Sequence, residues 1–473
     1  MALVLAHLSH AAVAQEPPDI LRSAATQEAI EYKFSAADER LLDAVQRGCF
    51  NYLWSEVHPK SGLVKDRREV NVCSTAGVGF QLSAIPIAIE RGWITREQGE
   101  QRALRILKTL AARTDNRKFG VLLHFVDLET GGVLPGRRSD VASTVDHALF
   151  LAGAIAAAEY LGGEVRELVN KFIADTNWKA FDVSERGFIT MGWRAADTRL
   201  DGPGDFSKFD WHVASDEELL VYFLAAGSPN PDFAGDPRDY YRLERTVKRH
   251  GDLDPYVVSW NGSLFTYFFA HCWIDYARFA ADEPGRFDVD APRVDWLENS
   301  RRATLTHRRR CIEAADRFKT LAENRWGFAP CTGLNAQGKP GYLVQGLRPN
   351  LMDKDEWDNG TVAPYAAGSS IMFTPAESMA ALRAYRNLKT AGGQPLVWRD
   401  PAEGGYAFAD SFNLDQPHVS DDNIAIDVGP MLVAIENVRT GLVWRLFMQH
   451  EVARRAVDAL ELQPQKGTKD AKG

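Results

Sequence analysis

The feature that most restricts the fold is a long succession of helical runs with no strand alternating between them. Ser35-Ala-Ala-Asp38 opens a run through Leu41, Leu42, Val45, Phe50 and Leu53, which recur at a 3.6-residue period. Ser74 or Thr75 opens a second, through Val78, Phe80, Leu82, Ile85 and Ile87, that stops at Gly92. Thr95 and Gln98 make a capping box for a third, carrying Leu104, Ile106, Leu107 and Leu110. Ser143 opens a fourth, from Val145 to Leu161, closed by Gly162 and Gly163; residues 164–173 make a fifth. A sixth follows Ser215, and further runs cover 239–247, 264–279, 296–321, 374–388 and 430 to about 460. These ten to twelve helices are alternately amphipathic and strongly apolar. Such a set predicts an all-α fold of concentric inner and outer rings, an (α/α) toroid. Short extended pieces at 121–126 and 187–191 are expected to line its mouth. No fixed-period repeat and no Pro/Ser linker divides the chain.

The sixth helix carries the densest chemistry. Asp210-Trp211-His212-Val-Ala-Ser215-Asp216-Glu217-Glu218 runs into an apolar stretch that Gly227 and Pro229 end. Ser215 is a good N-cap, with Glu218 completing a capping box. Three carboxylates thus occupy the first turn of an otherwise buried helix. One reading is that they only complement the helix dipole. The approach through Gly202-Pro-Gly204, Phe206, Phe209 and Trp211 favours another, an aromatic loop delivering acids to the mouth of a core helix, as in a sugar-cleaving cleft.

Other polar groups recur in similar settings. Asp146, beside His147, starts an apolar helix with Asp140 in the loop before it, and His124 and Asp127 flank an extended segment. His271 and Asp275 lie in an aromatic run, where they need hydrogen-bond partners. Glu298, Arg301 and Arg302 sit mid-helix as a buried network or a substrate clamp. Trp357-Asp358 and the loop holding Tyr406, Asp410 and Asn413 pair one acid with aromatics. Asp427 and Glu436 occupy the start and body of the last core helix.

Composition enters by exclusion. A net charge of −9 and a pI near 5.7 argue against nucleic acid. No stretch reaches the roughly 18 apolar residues of a membrane span. There is no metal-ligand spacing, no nucleotide loop and no nucleophile elbow, so no metal or cofactor is expected. Separate acids near aromatic and glycine-rich loops, without a cofactor motif, fit glycoside hydrolysis, which needs two carboxyl groups with one kept protonated. The 12 Trp, 13 Tyr and 24 Phe exceed what a core alone requires and suit sugar stacking. Ala12-Val-Ala14 before a polar segment resembles a cleavage site, so residues 1–14 are expected as a signal peptide without its basic start. The mature protein is then periplasmic or secreted. Residues 15–465 form a single catalytic domain and 466–473 a disordered tail. Five scattered cysteines read as buried thiols, with no pairing legible.

The chain also resembles the bacterial glucoamylase-like domain family. That family includes glycoside hydrolase family 144, the endo-β-1,2-glucanases, and a domain of cyclic β-1,2-glucan synthases. The likeness spans about 50–448. It rests on Ser61-Gly-Leu-Val64, Ala76-Gly-Val-Gly-Phe80, Glu90-Arg-Gly-Trp-Ile-Thr95, Ser143-Thr-Val-Asp146, Asp216-Glu217 and Ala226-Gly-Ser-Pro229. It continues through His271 to Asp275, Glu298-Asn-Ser-Arg-Arg-Ala303, Gly360-Thr-Val-Ala-Pro-Tyr365, Phe373-Thr-Pro-Ala-Glu377 and Ile435-Glu-Asn-Val-Arg-Thr-Gly441. The resemblance implies an (α/α)6 barrel and anomer-inverting hydrolysis of a β-glucan, most simply β-1,2-glucan, without a metal. It implies Glu217 as general acid and Asp410 as the first candidate for the base, with Asp146, a third catalytic acid, as the alternative base. Asp140, His124, Trp211, Asp216, His271, Arg302, Trp357, Asp358 and Glu436 are then the candidate glucan contacts. His147 stands where the family usually has Thr, and Asp358-Asn359-Gly-Thr replaces Asp-Gly-Thr. The alternatives are a glucan-binding protein without catalysis, an α-glucan hydrolase, a phosphorylase, or a polysaccharide lyase.

Overall fold

The computed structural model describes residues 17–134, 140–197, 199–357 and 359–465. The expected leader, the tail and Asp358 lie outside these residues. The described chain is mostly helical. Its helices are α1 (Ala24–Ile30), α2 (Ala36–Ser55), α3 (Thr75–Glu90), α4 (Arg96–Ala111), α5 (Thr144–Leu161), α6 (Gly163–Asp175) and α7 (Asp216–Ala226). Then come α8 (Pro237–Arg242), α9 (Trp296–Glu313), α10 (Pro364–Ser369), α11 (Pro375–Asn387), α12 (Ala425–Thr440), α13 (Leu442–Met448) and α14 (Glu451–Ala459). Strands are two to four residues long and pair antiparallel. Among the described residues no helix is long and apolar enough to cross a membrane.

Local chemistry accounts for the boundaries that sequence located well. Ser35 with Asp38 and Thr95 with Gln98 close reciprocal capping boxes on α2 and α4. On α4 only one stripe, including Ala103, Ile106, Leu107 and Leu110, is buried, whereas α3 and α5 are buried on nearly every side. One continuous apolar cluster runs from Ile20 to Leu462. All five cysteines are free and buried within the fold.

Four expected helices differ. The run 264–279 is a series of 3-10 turns, Leu264–Tyr267, Ala270–Cys272 and Tyr276–Arg278. Its backbone groups are claimed from outside: Trp444 and Asn437 donate to the carbonyls of His271 and Cys272, and Asp216 accepts the His271 N–H. An α-helical ladder there would forfeit those bonds. The run from 430 starts earlier, at Ala425, and is cut into three helices by Gly441 at φ 67° and by the cap at His450. The run from 296 stops at Glu313, and that from 239 shrinks to α8 before a strand at Val247–Lys248. The extended piece at 187–191 forms only isolated bridges, and the strand begins at Gly192.

The buried helices are neighbours in the order α10, α12, α3, α5, α7, and the 3-10 segment touches both α7 and α12. They run parallel. A Cβ on Gly79, in the second turn of α3, would lie 2.1 Å from the Leu149 carbonyl oxygen, in the second turn of α5. Phe80 meets Gly429, in the second turn of α12, where an added Cβ would fall 2.4 Å from the ring. Backbone bonds tie the starts together as well. Thr75 N–H donates to His124 O, whose own N–H donates to Val141 O just before α5, and Ala425 N–H donates to Asp66 O. The helix N-termini therefore gather at one end.

A Cβ at Gly153 would sit 1.7 Å from the Gly79 carbonyl oxygen, a clash of two helix backbones that no rotamer relieves. Gly153→Ala is expected to destabilise the fold by about 3 kcal/mol or more in chemical denaturation. Gly285→Ala, with no atom within 4 Å, should stay within about 0.5 kcal/mol.

Candidate active site

Three of the gathered helix starts present a carboxyl in the first turn: Asp146 on α5, Glu217 on α7 and Asp427 on α12. Loops reaching over the same end add Asp66, His124 and Asp410. His124 Nε2 lies 3.6 Å from Asp146 Oδ1. Asp66 is buried with Arg67 Nε 3.2 Å away; burial lifts its carboxyl against Arg67, and the charges of His124 and Asp146 also reach it. Asp66 in turn acts on Asp427, and Asp427 on Asp410. Electrostatic influence thus links Glu217 to Asp146, Asp146 to Asp66, Asp66 to Asp427 and Asp427 to Asp410.

The two ends of that run differ in their protons. Glu217 is only partly exposed and makes no hydrogen bond or ion pair with the described residues. Burial first, then the charges of Glu218, Asp146 and Asp216, hold its carboxyl well above the usual value. Next to it the expected capping box is altered. The Ser215 hydroxyl donates to the Glu218 carboxylate rather than accepting a backbone N–H. Burial raises Glu218 to about 7 against that bond.

At the other end Asp410 is buried, and its Oδ2 accepts the Thr332 N–H at 2.6 Å and the Thr332 hydroxyl at 2.7 Å. Asp410 Oδ1 and Asp427 Oδ2 are both buried without a donor in the described hydrogen-bond geometry, and the two carboxyls act on each other, with Tyr365 also reaching Asp427. Two charges this close and this buried are relieved when one of the pair keeps a proton. Burial, then the charge and hydrogen bond of Asp410, hold Asp427 well above the carboxylate range, so Asp427 carries that proton. Burial raises Asp410 to about 6, while Asp427 and Thr332, both donating to it, pull it down.

The remaining candidates divide. Asp140 accepts from Val141 N–H at 2.7 Å and from Arg194 at 3.2 Å. It stands beside a cavity of about 450 Å³ lined by Val141, Ser143, Met191, Arg194 and Phe206. Trp211 only edges that cavity. It is 8 % exposed and its indole N–H donates to Thr144, so it is a core ring and not an open stacking face. Asp216 is buried against the 3-10 segment. His271 is buried with Nε2 2.9 Å from Ser300 Oγ, and burial lowers it to about 3, leaving it neutral. Both support the acids from beneath and do not present a face to a glucan. Arg302 is committed to Glu298 at 2.6 Å and to the carbonyls of Pro255 and Leu21. That network pins the segment before α1, where Ser23 and Thr26 also donate to Glu298 and Arg22 pairs with Asp295 at 2.7 Å. Glu436 lies in the last turns of α12, about 13 Å along the helix from Asp427, and is held by Arg91, Gln46 and Thr440. Trp357 is half-buried between Arg310 and Arg317, at a cavity of about 830 Å³ whose walls are mainly cationic.

Several residues of the rim were missed in sequence. Asp427, placed in sequence at the start of the last core helix but not among the site candidates, has the same first-turn signature as Asp146 and Glu217. Asp66, Thr332 and Tyr342 have no local signal. Tyr342 is 44 % exposed, with the Arg67 guanidinium 5.4 Å from its ring, directly across the strand pair from Thr332. Burial of its hydroxyl, and then the charges of Asp427 and Asp66, push its phenol up. It is an open ring beside the acid run.

Comparison with known proteins gives a consistent frame. A family model described as putative glucoamylase matches residues 208–451. An exo β-1,2-glucooligosaccharide sophorohydrolase (non-reducing end) of Parabacteroides distasonis is 26 % identical over 90 % of this chain, which spans 58 % of that relative's length. A crystal structure of a glucoamylase-type protein of Bacteroides fragilis superposes with a TM-score of 0.75 at 25 % identity, over 92 % of this chain and all of the other. A β-1,2-glucanase structure from Parabacteroides distasonis gives a TM-score of 0.73 at 25 % identity, over 91 % of this chain and 60 % of that one. With just over half of its length matched by the family model, and its fold shared over 92 % of its length with the Bacteroides structure, the chain belongs to the putative glucoamylase family.

Proposed function

We propose that this protein is a glycoside hydrolase that cleaves β-1,2-glucan with inversion at the anomeric carbon. The observation that carries the reading is the pairing of a partly open, proton-holding and unpartnered carboxyl, Glu217, with a hydrogen-bonded and more acidic one, Asp410, along one run of acids. Two carboxyls whose surroundings push their protons apart are what acid/base glycoside hydrolysis requires. The β-1,2 linkage comes from the sophorohydrolase relative. In this reading Glu217 donates its proton to the glycosidic oxygen and Asp410 is the base for the attacking water. Asp146 and His124, on the rim between them, hold the sugar, and Tyr342 stacks on a ring. Inverting pairs stand roughly 6.5–9.5 Å apart, leaving room for that water.

The same proposal takes the helices as an (α/α)6 toroid, supported by the parallel order of the buried helices, and residues 15–465 as one catalytic domain, supported by the continuous core. It takes the protein to be exported to the periplasm or beyond, on the Ala12-Val-Ala14 pattern.

Incubation with linear β-1,2-, β-1,3- and α-1,4-glucans tests the reading. Cleavage of the β-1,2 polymer with the inverted anomer first in proton NMR is expected; the retained anomer, or an intact β-1,2 polymer, overturns it. Glu217→Gln should lower kcat by at least about 10²-fold. Because Glu217 holds its proton above the usual glutamate value, the native chain loses stability as pH rises through that raised value. The Gln variant lacks this loss, so its Tm at pH 8 should equal or exceed that of the native chain. The profile of kcat/KM should fall as pH drops through about 6, where Asp410 takes up a proton, and fall again at high pH as Glu217 loses one. Tyr342→Ala should raise KM by roughly 2- to 10-fold, the range of a ring contact of about 0.5–1.5 kcal/mol, with kcat little changed.

A further inference from the structure

As base, Asp410 poses a geometric problem. It is 3 % exposed, one oxygen is filled by the Thr332 N–H and hydroxyl, and the other is buried with no described hydrogen-bond donor. Neither oxygen has a free face for a water. The way out runs through hydroxyls. Thr332 Oγ1 lies 2.5 Å from Ser420 Oγ. Thr332 has one hydroxyl proton, and the Asp410 carboxylate accepts it, so Ser420 is the donor to Thr332 and keeps its own lone pairs to accept another proton. Exposure rises along the row, from 3 % at Asp410 to 7 % at Thr332 and 9 % at Ser420.

The backbone holds this row in line. Thr332 lies on the strand Cys331–Leu334, opposite Tyr342, the open ring of the rim. Ser420 ends the strand His418–Ser420, and its carbonyl accepts the Asp410 N–H at 2.8 Å. The Ser411 hydroxyl donates to the Thr332 carbonyl. Two short strands, with the strand Ser411–Asn413 that directly follows Asp410, thus fix Thr332, Ser420 and Asp410 with no long flexible arm among them.

We propose that Thr332 and Ser420 form a proton relay between Asp410 and the attacking water; the proposal rests on the reading of Asp410 as base. The water oxygen bonds to the anomeric carbon as the glycosidic bond breaks. The bonding pair goes to the leaving oxygen, which takes the proton of Glu217. The water proton passes to Ser420 Oγ, the Ser420 proton to Thr332 Oγ1, and the Thr332 proton to Asp410 Oδ2. Each hydroxyl ends with one proton, Asp410 ends neutral and Glu217 ionised, so charge is conserved.

Thr332→Val removes the hydroxyl while keeping the shape and the backbone N–H bond to Asp410. The relay predicts that the pH-independent plateau of kcat falls by about 10²-fold or more, with KM within about 2-fold, and that Thr332→Ser restores it to within about 5-fold. A purely supporting role predicts otherwise: loss of one hydrogen bond to Asp410 moves the acid limb to higher pH and leaves the plateau in place. That result overturns the relay. So does a Thr332→Ser variant that is folded by circular dichroism and stays as impaired as Thr332→Val. Asp410→Asn is measured alongside. If it keeps near-normal turnover, the base is another residue and the underlying reading fails; if it is inactive while Thr332→Val is fully active, only the relay fails.

Discussion

Where α3 crosses α5, the carbonyl oxygen of Gly79 occupies the place a Cβ of residue 153 would take, so two helix backbones touch with no side chain between them. Such contact aligns the pair along their length, and α12 joins them through Gly429 against Phe80. Parallel packing brings the N-termini of the buried helices to one end. Each terminus carries about half a positive charge and unpaired N–H groups. An end built this way tolerates a density of carboxylates that ordinary protein surface would not. Asp146, Glu217 and Asp427 stand there because the helices do.

The dipoles alone would leave every one of those acids ionised. Burial works against them, and its outcome depends on what each carboxyl can reach. Glu217 has like charges as neighbours and no donor, so burial wins and the proton stays. Asp410 has two donors from Thr332 and one from Asp427, so it ionises while Asp427 keeps the proton. Position relative to donors, more than depth, decides which carboxyl keeps its proton.

The outer helices were legible because one face alternates with solvent, as on α4, and their caps are local. The same logic failed at 264–279, where apolar residues on all sides gave a helical signal. There, distant donors and an acceptor, Trp444, Asn437 and Asp216, set the backbone. First-turn acids could be read since the signal is a helix start followed by an apolar run. Thr332, Ser420, Asp66 and Tyr342 could not, because their importance arises only when strands far apart in sequence are brought side by side. His147, a departure from the family pattern, is a core residue. It is buried between the Leu122 N–H and the Thr176 hydroxyl, and its environment keeps it neutral. Trp211 shows the limit of reading aromatics: a ring beside acids looks like a sugar platform until its N–H is found bonded inside.

The five cysteines sit on elements spread along the chain, Cys49 in α2, Cys73 in a strand under α3, Cys272 in the 3-10 segment, Cys311 in α9 and Cys331 beside Thr332. Burial raises every one of these thiols, so none offers a thiolate to solvent in the closed fold. A thiol reagent can modify each only when the element that covers it lifts away. The protein thus carries five native clocks for local opening, each timing a different part of the molecule, with Cys331 reporting on the strand that carries Thr332.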